Sequence, residues 1–153
     1  MRNGDRIFSV DHWVPRPRGE VFRFLSDPRN LARITPPWLR FRMVRQSTPE
    51  IGIGTVFTYR LRIRGVPILW KSRIKEWKEN EFFIDIQVKG PYSHWNHMHM
   101  FEEKDGGTVI KDRVIYRVPF GWIGRMVAGR MVRSDLHRIF QYRRQVIEQL
   151  LNN

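Results

Sequence analysis

Three histidines lie close together in the second half of the chain, at His94, His97 and His99. Alternate side chains of a β-strand point to the same face, so His97 and His99 are expected to share one. If Asp105-Gly106 forms a two-residue hairpin turn, Asp112 lies directly across from His99 on that face. The spacing therefore predicts two imidazoles and one carboxylate side by side.

Such a group is compatible with three kinds of chemistry. Two histidines and a carboxylate are typical ligands of zinc and related metals. A carboxylate that orients a histidine is also the usual arrangement for acid–base catalysis. The same residues can instead hydrogen-bond to one another in a pocket wall, because a buried carboxylate needs a partner. We favour this third interpretation, with Asp112 orienting His99, and it predicts no metal, no other cofactor and no catalytic residue.

The elements that position this group can be read from hydrophobic periodicity. Residues 7–14 have the pattern of a first strand. Two short amphipathic helices are expected next, over residues 20–27 and 29–34, with Asp27 as the N-cap of the second. The absence of cysteine excludes thiolate nucleophiles, disulfides and cysteine-based metal sites.

From residue 39 to about 119, apolar and polar residues alternate, which predicts six further strands. Apolar residues then recur at three- and four-residue spacing, which predicts a long helix over 122–151. The whole sequence, 1–153, is expected to form one α+β domain. In it, a seven-stranded antiparallel sheet is covered by the C-terminal helix.

Hairpin geometry predicts which strand residues face inward. A two-residue turn at Gly65-Val66 would place Leu61 opposite Trp70 and Tyr59 opposite Ser72, with the apolar residues of both strands on one face. On the following strand the register indicates Phe83, Asp85 and Gln87 as inward, whereas hydrophobicity alone favours the other face, with Phe82, Ile84, Ile86 and Val88, and a bulge would reverse the assignment.

The formal net charge is +13. The basic residues are spread over the solvent faces of the strands and the polar side of the last helix, without a compact reading element. We therefore expect no sequence-specific binding of nucleic acid, and keep transient contact with an anionic membrane surface as an open alternative. No stretch reaches the ~20 apolar residues of a membrane-spanning helix, and no signal peptide is evident. A cytoplasmic location is expected, and the oligomeric state stays open.

Two stretches resemble a known superfamily. The pattern Val-Phe-x-Phe-Leu-x-Asp-x-x-Asn-Leu-x-x-Ile-Thr-Pro, from Val21 to Pro36, resembles the opening of the SRPBCC superfamily, which includes START, Bet v 1-like and polyketide cyclase/dehydrase-type proteins. The pattern Gly-Pro-Tyr-x-x-Trp-x-His-x-His-x-Phe, from Gly90 to Phe101, is similar to an uncharacterised bacterial ligand-binding branch of it. The resemblance implies the helix-grip fold and a cavity that in relatives holds lipids, sterols, quinones or polyketides. It carries over no activity.

We predict that this chain binds a small hydrophobic or amphipathic molecule, lipid-, quinone- or polyketide-like, between the sheet and the last helix. The alternative is a cyclase, dehydratase or hydrolase that uses the His99–Asp112 pair. The candidate ligand-binding residues are the inward strand residues and two residues of the last helix, namely Phe57, Tyr59, Leu61, Trp70, Phe83, Gln87, Trp95, His97, His99, Asp112, Val114, Tyr116, Leu136 and Phe140.

Overall fold

The computed structural model describes residues 1–152, so Asn153, the last residue of the expected domain, lies outside the described residues. The strands are β1 (Arg6–Val14), β2 (Arg42–Gln46), β3 (Val56–Ile63), β4 (Val66–Lys78), β5 (Phe82–Lys89), β6 (His94–Lys104) and β7 (Gly107–Arg117). The α-helices are α1 (Arg18–Ser26), α2 (Pro28–Ile34) and α3 (Gly121–Leu151). Element order and the extent of the last helix agree with the sequence prediction.

The strands form one curved antiparallel sheet in the order β1-β7-β6-β5-β4-β3-β2. Strands β2 to β7 follow one another as neighbours, and β1 pairs with β7 at the far edge. The buried residues of α3 pack against the sheet, which confirms the predicted helix-grip fold. Within residues 1–152, no helix is both long enough and apolar enough to cross a membrane.

Helix α3 contributes to two groups of core residues. Near its C-terminus, Ile147 and Leu151 pack with aromatic residues of α1 and the sheet, such as Phe22. Closer to its middle, Leu136 and Phe140 join a second group. That second group also contains Phe8, Val114, Tyr116 and Val118. The space between sheet and helix is therefore filled at two places along the helix.

The prediction for the start of α2 is confirmed. The Asp27 carboxylate accepts a hydrogen bond of 2.9 Å from the backbone N–H of Arg29, as an N-cap does. The predicted start of the next strand at Leu39 is wrong. Residues Pro37–Leu39 form a 3₁₀ helix, and Arg40 then adopts a left-handed conformation with φ 46°, so β2 begins only at Arg42.

The hairpin registers were predicted with mixed success. The β6–β7 register is confirmed, with Lys104 opposite Gly107 and His99 opposite Asp112. The β3–β4 register is wrong by two residues, because the turn is formed by Arg64 and Gly65, with φ values of 50° and 80°. Both values are positive, as a tight type I′ turn requires. Tyr59 therefore lies opposite Trp70, and since the shift is even, every side chain keeps its predicted face.

Candidate ligand cavity

A cavity of about 480 Å³ lies between the sheet and α3, and α2 and the 3₁₀ helix contribute to its wall. The wall is mostly aromatic and aliphatic, which is typical of sites for small apolar molecules. Ten of the predicted candidates line it, namely Phe57, Tyr59, Leu61, Trp70, Phe83, Trp95, His97, His99, Leu136 and Phe140.

The other four candidates, Gln87, Asp112, Val114 and Tyr116, lie outside the cavity wall. Val114 and Tyr116 are 0% and 2% exposed because they belong to the second core group, where β1 and α3 cover them. The prediction that Tyr116 walls the cavity is therefore wrong. Asp112 is buried and separated from the cavity by the histidines with which it interacts.

Gln87 has a structural task instead. Its side-chain amide donates a hydrogen bond to the carbonyl oxygen of Tyr92 at 2.7 Å and accepts one from the Tyr92 N–H at 3.1 Å. These bonds fix the β5–β6 connection, so that the Tyr92 ring lies in the cavity wall against Trp70 and Trp95. The prediction that Gln87 faces inward holds for its strand face, but its polar atoms are already satisfied.

Sequence reasoning missed several wall residues. Tyr92 lies in a turn, where strand alternation gives no orientation. Leu31 comes from α2 and Trp38 from the 3₁₀ helix, and the sequence analysis assigned neither segment to the cavity wall. Arg143 was assigned to the polar side of the last helix, yet it is 9% exposed and lines the cavity. Its spacing from Leu136 and Phe140 could have revealed it, because residues three, four and seven apart share a helix face.

A chain of hydrogen bonds runs across the sheet behind and within the cavity wall. His97 Nε2 lies 2.7 Å from Asp112 Oδ1, and His99 Nε2 lies 2.6 Å from Asp85 Oδ2. The hydroxyl of Ser72 donates to Asp85 Oδ1 at 3.3 Å. Asp112 and Asp85 therefore each have an imidazole partner on β6.

The prediction that His99 and Asp112 are cross-strand neighbours within reach of each other is confirmed, but the short hydrogen bond to Asp112 comes from His97. The two residues are direct neighbours across β6 and β7, but His99 Nδ1 is 3.5 Å from Asp112 Oδ1, whereas His97 makes the short contact. The two imidazole rings stack with centroids 3.6 Å apart, and His99 turns its Nε2 towards β5. Register fixes which residues are neighbours, while side-chain rotation selects the partner.

Burial and hydrogen bonding in this network determine which of its groups are charged at neutral pH. Burial opposes ionisation of Asp112, but the hydrogen bond from His97 and the charge of Arg143 outweigh it and hold the Asp112 pKa well below its usual range. Burial also opposes ionisation of Asp85, but the hydrogen bond from His99, the nearby imidazoles and the hydrogen bond from Ser72 together outweigh it and lower the Asp85 pKa. Burial and the neighbouring His97 lower the pKa of His99 to about 4, against the opposing effect of Asp85. At neutral pH the two carboxylates are therefore ionised and His99 is neutral.

Asp85, His97 and His99 also offer one possible metal ligand each, and these atoms lie within 4.8 Å of one another. The carboxylate that completes the set is Asp85, and not Asp112 as considered from the sequence. A metal ion would have to replace the short hydrogen bond between His99 and Asp85. The donor types suit zinc, but the geometry is that of a satisfied hydrogen-bond network.

Known structures share this architecture. The aromatase/cyclase ZhuI from Streptomyces sp. R1128 superposes with a TM-score of 0.71 at 18% identity, over 94% of this chain and 91% of that chain. Ara h 8.0201 superposes with a TM-score of 0.67 at 18% identity, over 97% and 98% of the two chains. A nucleoside-diphosphate sugar epimerase from Corynebacterium glutamicum, at 26% identity and a TM-score of 0.68, matches over 94% of this chain but 29% of its own length.

Sequence comparison is more specific. No curated protein matches the chain. The sequence profile described as "Polyketide cyclase / dehydrase and lipid transport" matches residues 14–141, from the end of β1 into the second half of α3. This range begins at the last residue of β1 and includes strands β2 to β7. It also includes both short helices and nearly all wall residues. By sequence profile and by fold, the chain belongs to the polyketide cyclase/dehydrase and lipid transport family of the SRPBCC superfamily.

Proposed function

We propose that this chain acts as one ligand-binding domain that holds a small hydrophobic or amphipathic molecule, of the lipid, quinone or polyketide-like class, between the sheet and α3. The observation that carries the proposal is the cavity of about 480 Å³ with its aromatic wall. Protein interiors are normally packed with few voids larger than a water molecule. An unfilled volume of this size, bordered by Trp70, Trp95 and Tyr59, favours a binding site over a packing defect.

The proposal can be tested with N-phenyl-1-naphthylamine, an uncharged probe that fluoresces in apolar surroundings. Trp70→Ala removes a wall residue, and we expect it to weaken probe binding by about three- to tenfold. Trp122→Ala is the matched control, because Trp122 is 64% exposed on the outside of the molecule. Saturable binding to the wild type that falls only in Trp70→Ala supports the proposal. No binding, or equal effects of both substitutions, contradicts it.

A second candidate function is acid–base catalysis of the cyclase or dehydratase type. The observation that favours it is the pair of His97 and Asp112, in which the carboxylate is buried and the imidazole lines the cavity. A carboxylate on one ring nitrogen fixes the tautomer and stabilises the imidazolium that forms when the ring accepts a proton. This pair replaces the predicted pair of His99 and Asp112.

The catalytic candidate can be tested with a linear triketide thioester, by mass spectrometry of dehydrated or cyclised products. His97→Gln should abolish product formation while probe binding in the cavity persists. Product formed at the same rate by wild type and His97→Gln, or by neither, would leave binding as the function.

We also propose that the protein contacts an anionic membrane and that the ligand passes between that membrane and the cavity. The N-cap of α3 and the first turns of the helix carry five exposed apolar side chains, here called the α3 patch, namely Phe120, Trp122, Ile123, Met126 and Val127. Phe120 is 86% and Val127 79% exposed. Arg130 on the same helix is also exposed and supplies charge complementary to anionic lipid. An apolar groove beside the patch shares Ile63 and Tyr92 with the cavity wall.

Vesicle sedimentation tests this contact, which we place at the cytoplasmic face of a membrane. We expect binding to vesicles containing phosphatidylserine, weak binding to pure phosphatidylcholine, and loss of binding in Val127→Glu. Val44→Glu, at an exposed apolar residue of β2 outside the patch, is the control. Equal binding by both variants would contradict the proposed contact.

A further inference from the structure

Arg143 occupies an apolar position of α3. The buried residues of this part of the helix are Leu136, Phe140, Arg143, Ile147 and Leu151, which form one continuous face towards the sheet. Arg143 is 9% exposed and contributes to the cavity wall. A buried guanidinium requires partners, since its five N–H donors lose their hydration when they leave water.

The described part of the chain supplies no hydrogen-bonding partner for this guanidinium. Arg143 makes no hydrogen bond and no ion pair with any residue among 1–152, and its Nε is fully buried without an acceptor. Its one specific contact is with the ring of Phe140, 5.6 Å from the guanidinium carbon. A contact with an aromatic face uses the charge but leaves the in-plane N–H groups unengaged.

Most other charged groups of the cavity wall are paired, and Arg138, which has no hydrogen bond or ion pair among the described residues, is exposed to solvent and contacts the ring of Trp38. Arg64 donates two hydrogen bonds to Asp135, of 2.8 and 3.2 Å. Asp27 is bound by Arg29, and Asp85 by His99. The charge of Arg143 helps to lower the pKa of Asp112, but the short hydrogen bond to Asp112 comes from His97. Arg143 is thus a buried cation that lines the cavity and whose donors are left for a molecule inside it.

We propose that the ligand carries an oxyanion and that Arg143 binds it through charge-assisted hydrogen bonds. This inference rests on the proposed ligand-binding function and specifies the class of ligand: a molecule with an apolar body and an acidic oxygen group. The guanidinium fork matches a carboxylate in particular, because two parallel N–H groups can meet its two oxygens. A fatty acid and an acidic aromatic compound share this chemistry. The acidic group would lie on the helix side of the cavity, away from the Asp85 carboxylate on β5.

The experiment compares acids with their uncharged esters. Displacement of N-phenyl-1-naphthylamine is measured with dodecanoic acid and methyl dodecanoate, and with 2-naphthoic acid and methyl 2-naphthoate. The wild type should bind the acids about ten- to hundredfold more tightly than the esters, which corresponds to charge-assisted hydrogen bonds in a buried site. Whether the alkyl or the naphthyl acid binds better separates the two sources of the acidic group.

Three variants locate the preference. Arg143→Met keeps the length of the side chain without its charge and should bind acids and esters alike. Arg143→Lys keeps the charge without the fork and should retain part of the preference. Arg144→Met is the control, since Arg144 is exposed on the same helix and bonds to Glu148. It should behave as the wild type.

The outcomes separate this inference from the function on which it rests. If acids and esters displace the probe equally from the wild type, the cavity binds ligands but Arg143 is only a counter-charge for Asp112, and the proposal is overturned. The same conclusion follows if the preference survives in Arg143→Met. If the probe itself does not bind the wild type, the ligand-binding function fails and takes this inference with it. The comparison on the wild type needs no variant, so it stands even if Arg143→Met does not fold.

Discussion

Replacing His99 with glutamine should make the stability of this protein less sensitive to acid. His99 is buried, and its pKa is lowered from 6.5 to about 4 in the folded chain. Between these two values the unfolded chain binds a proton at His99 and the folded chain does not, so folding becomes less favourable as the pH falls. The contribution of neutral His99 to stability is complete above pH 6.5 and is lost progressively as the pH falls to about 4.

The size of the effect follows from these two pKa values. Between about pH 7.5 and about pH 5, the wild type should lose about 2 kcal/mol of unfolding free energy through His99 alone. Glutamine is a suitable replacement because its side-chain amide can still donate a hydrogen bond to Asp85 but does not titrate. The quantity compared is the change of unfolding free energy with pH, in each protein separately.

Urea unfolding at a series of pH values measures this change. His137→Gln, at an exposed residue of α3, controls for the general loss of one histidine. His12 is also buried with a lowered pKa, and it remains in both proteins, so its contribution cancels in the comparison. If wild type and His99→Gln lose equal free energy between the two pH values, His99 is not held neutral, and the charge assignment of the network is wrong.

Three further outcomes are expected. Gly124→Ala should cost about 1–3 kcal/mol, because the added Cβ would lie 1.8 Å from the carbonyl oxygen of Pro119, whereas Gly52→Ala, with nothing within 4 Å, should be nearly neutral in thermal unfolding. Asp112→Ala should cost about 3–5 kcal/mol, because it leaves the buried His97 without its carboxylate, while Asp11→Ala at an exposed ion pair should cost less than about 1 kcal/mol. In gel-shift assays, any binding of DNA or RNA should be independent of sequence and should weaken steeply with salt; a salt-resistant preference for one sequence would refute this.

The fold could be predicted because its signals are local. Alternation identified the strands, and Asp105-Gly106 fixed the β6–β7 register, since this dipeptide readily adopts the two positive φ values of the turn. The β3–β4 turn was placed one residue late, which shifts the register by two, because Arg64 has no such preference and adopts positive φ only through its context. An even error preserves the faces of the strands, so most cavity residues were still identified.

The details of the site could not be predicted in the same way. Asp112 and His99 are neighbours in register, but the hydrogen bond goes to His97 because the rings stack and turn in opposite directions. Tyr116 faces inward as predicted but is covered by core residues, and inward orientation does not distinguish core from cavity wall. Arg143 was overlooked because an arginine on a helix is normally solvated.

The pairing of β1 with β7 has a consequence for how the chain folds. Arg6 lies opposite Tyr116 and Val14 opposite Thr108, so the first strand finds its neighbour only after almost the whole sheet-forming sequence is available. Closing so long a loop is entropically unfavourable and slow compared with forming the hairpins between β2 and β7. During synthesis, β1 must therefore wait while the remaining strands assemble, and the open edge of β7 is exposed until it docks. A second copy of the chain could offer its own β1 to that edge, so exchange of the first strand between two molecules is the misfolding route that this topology favours.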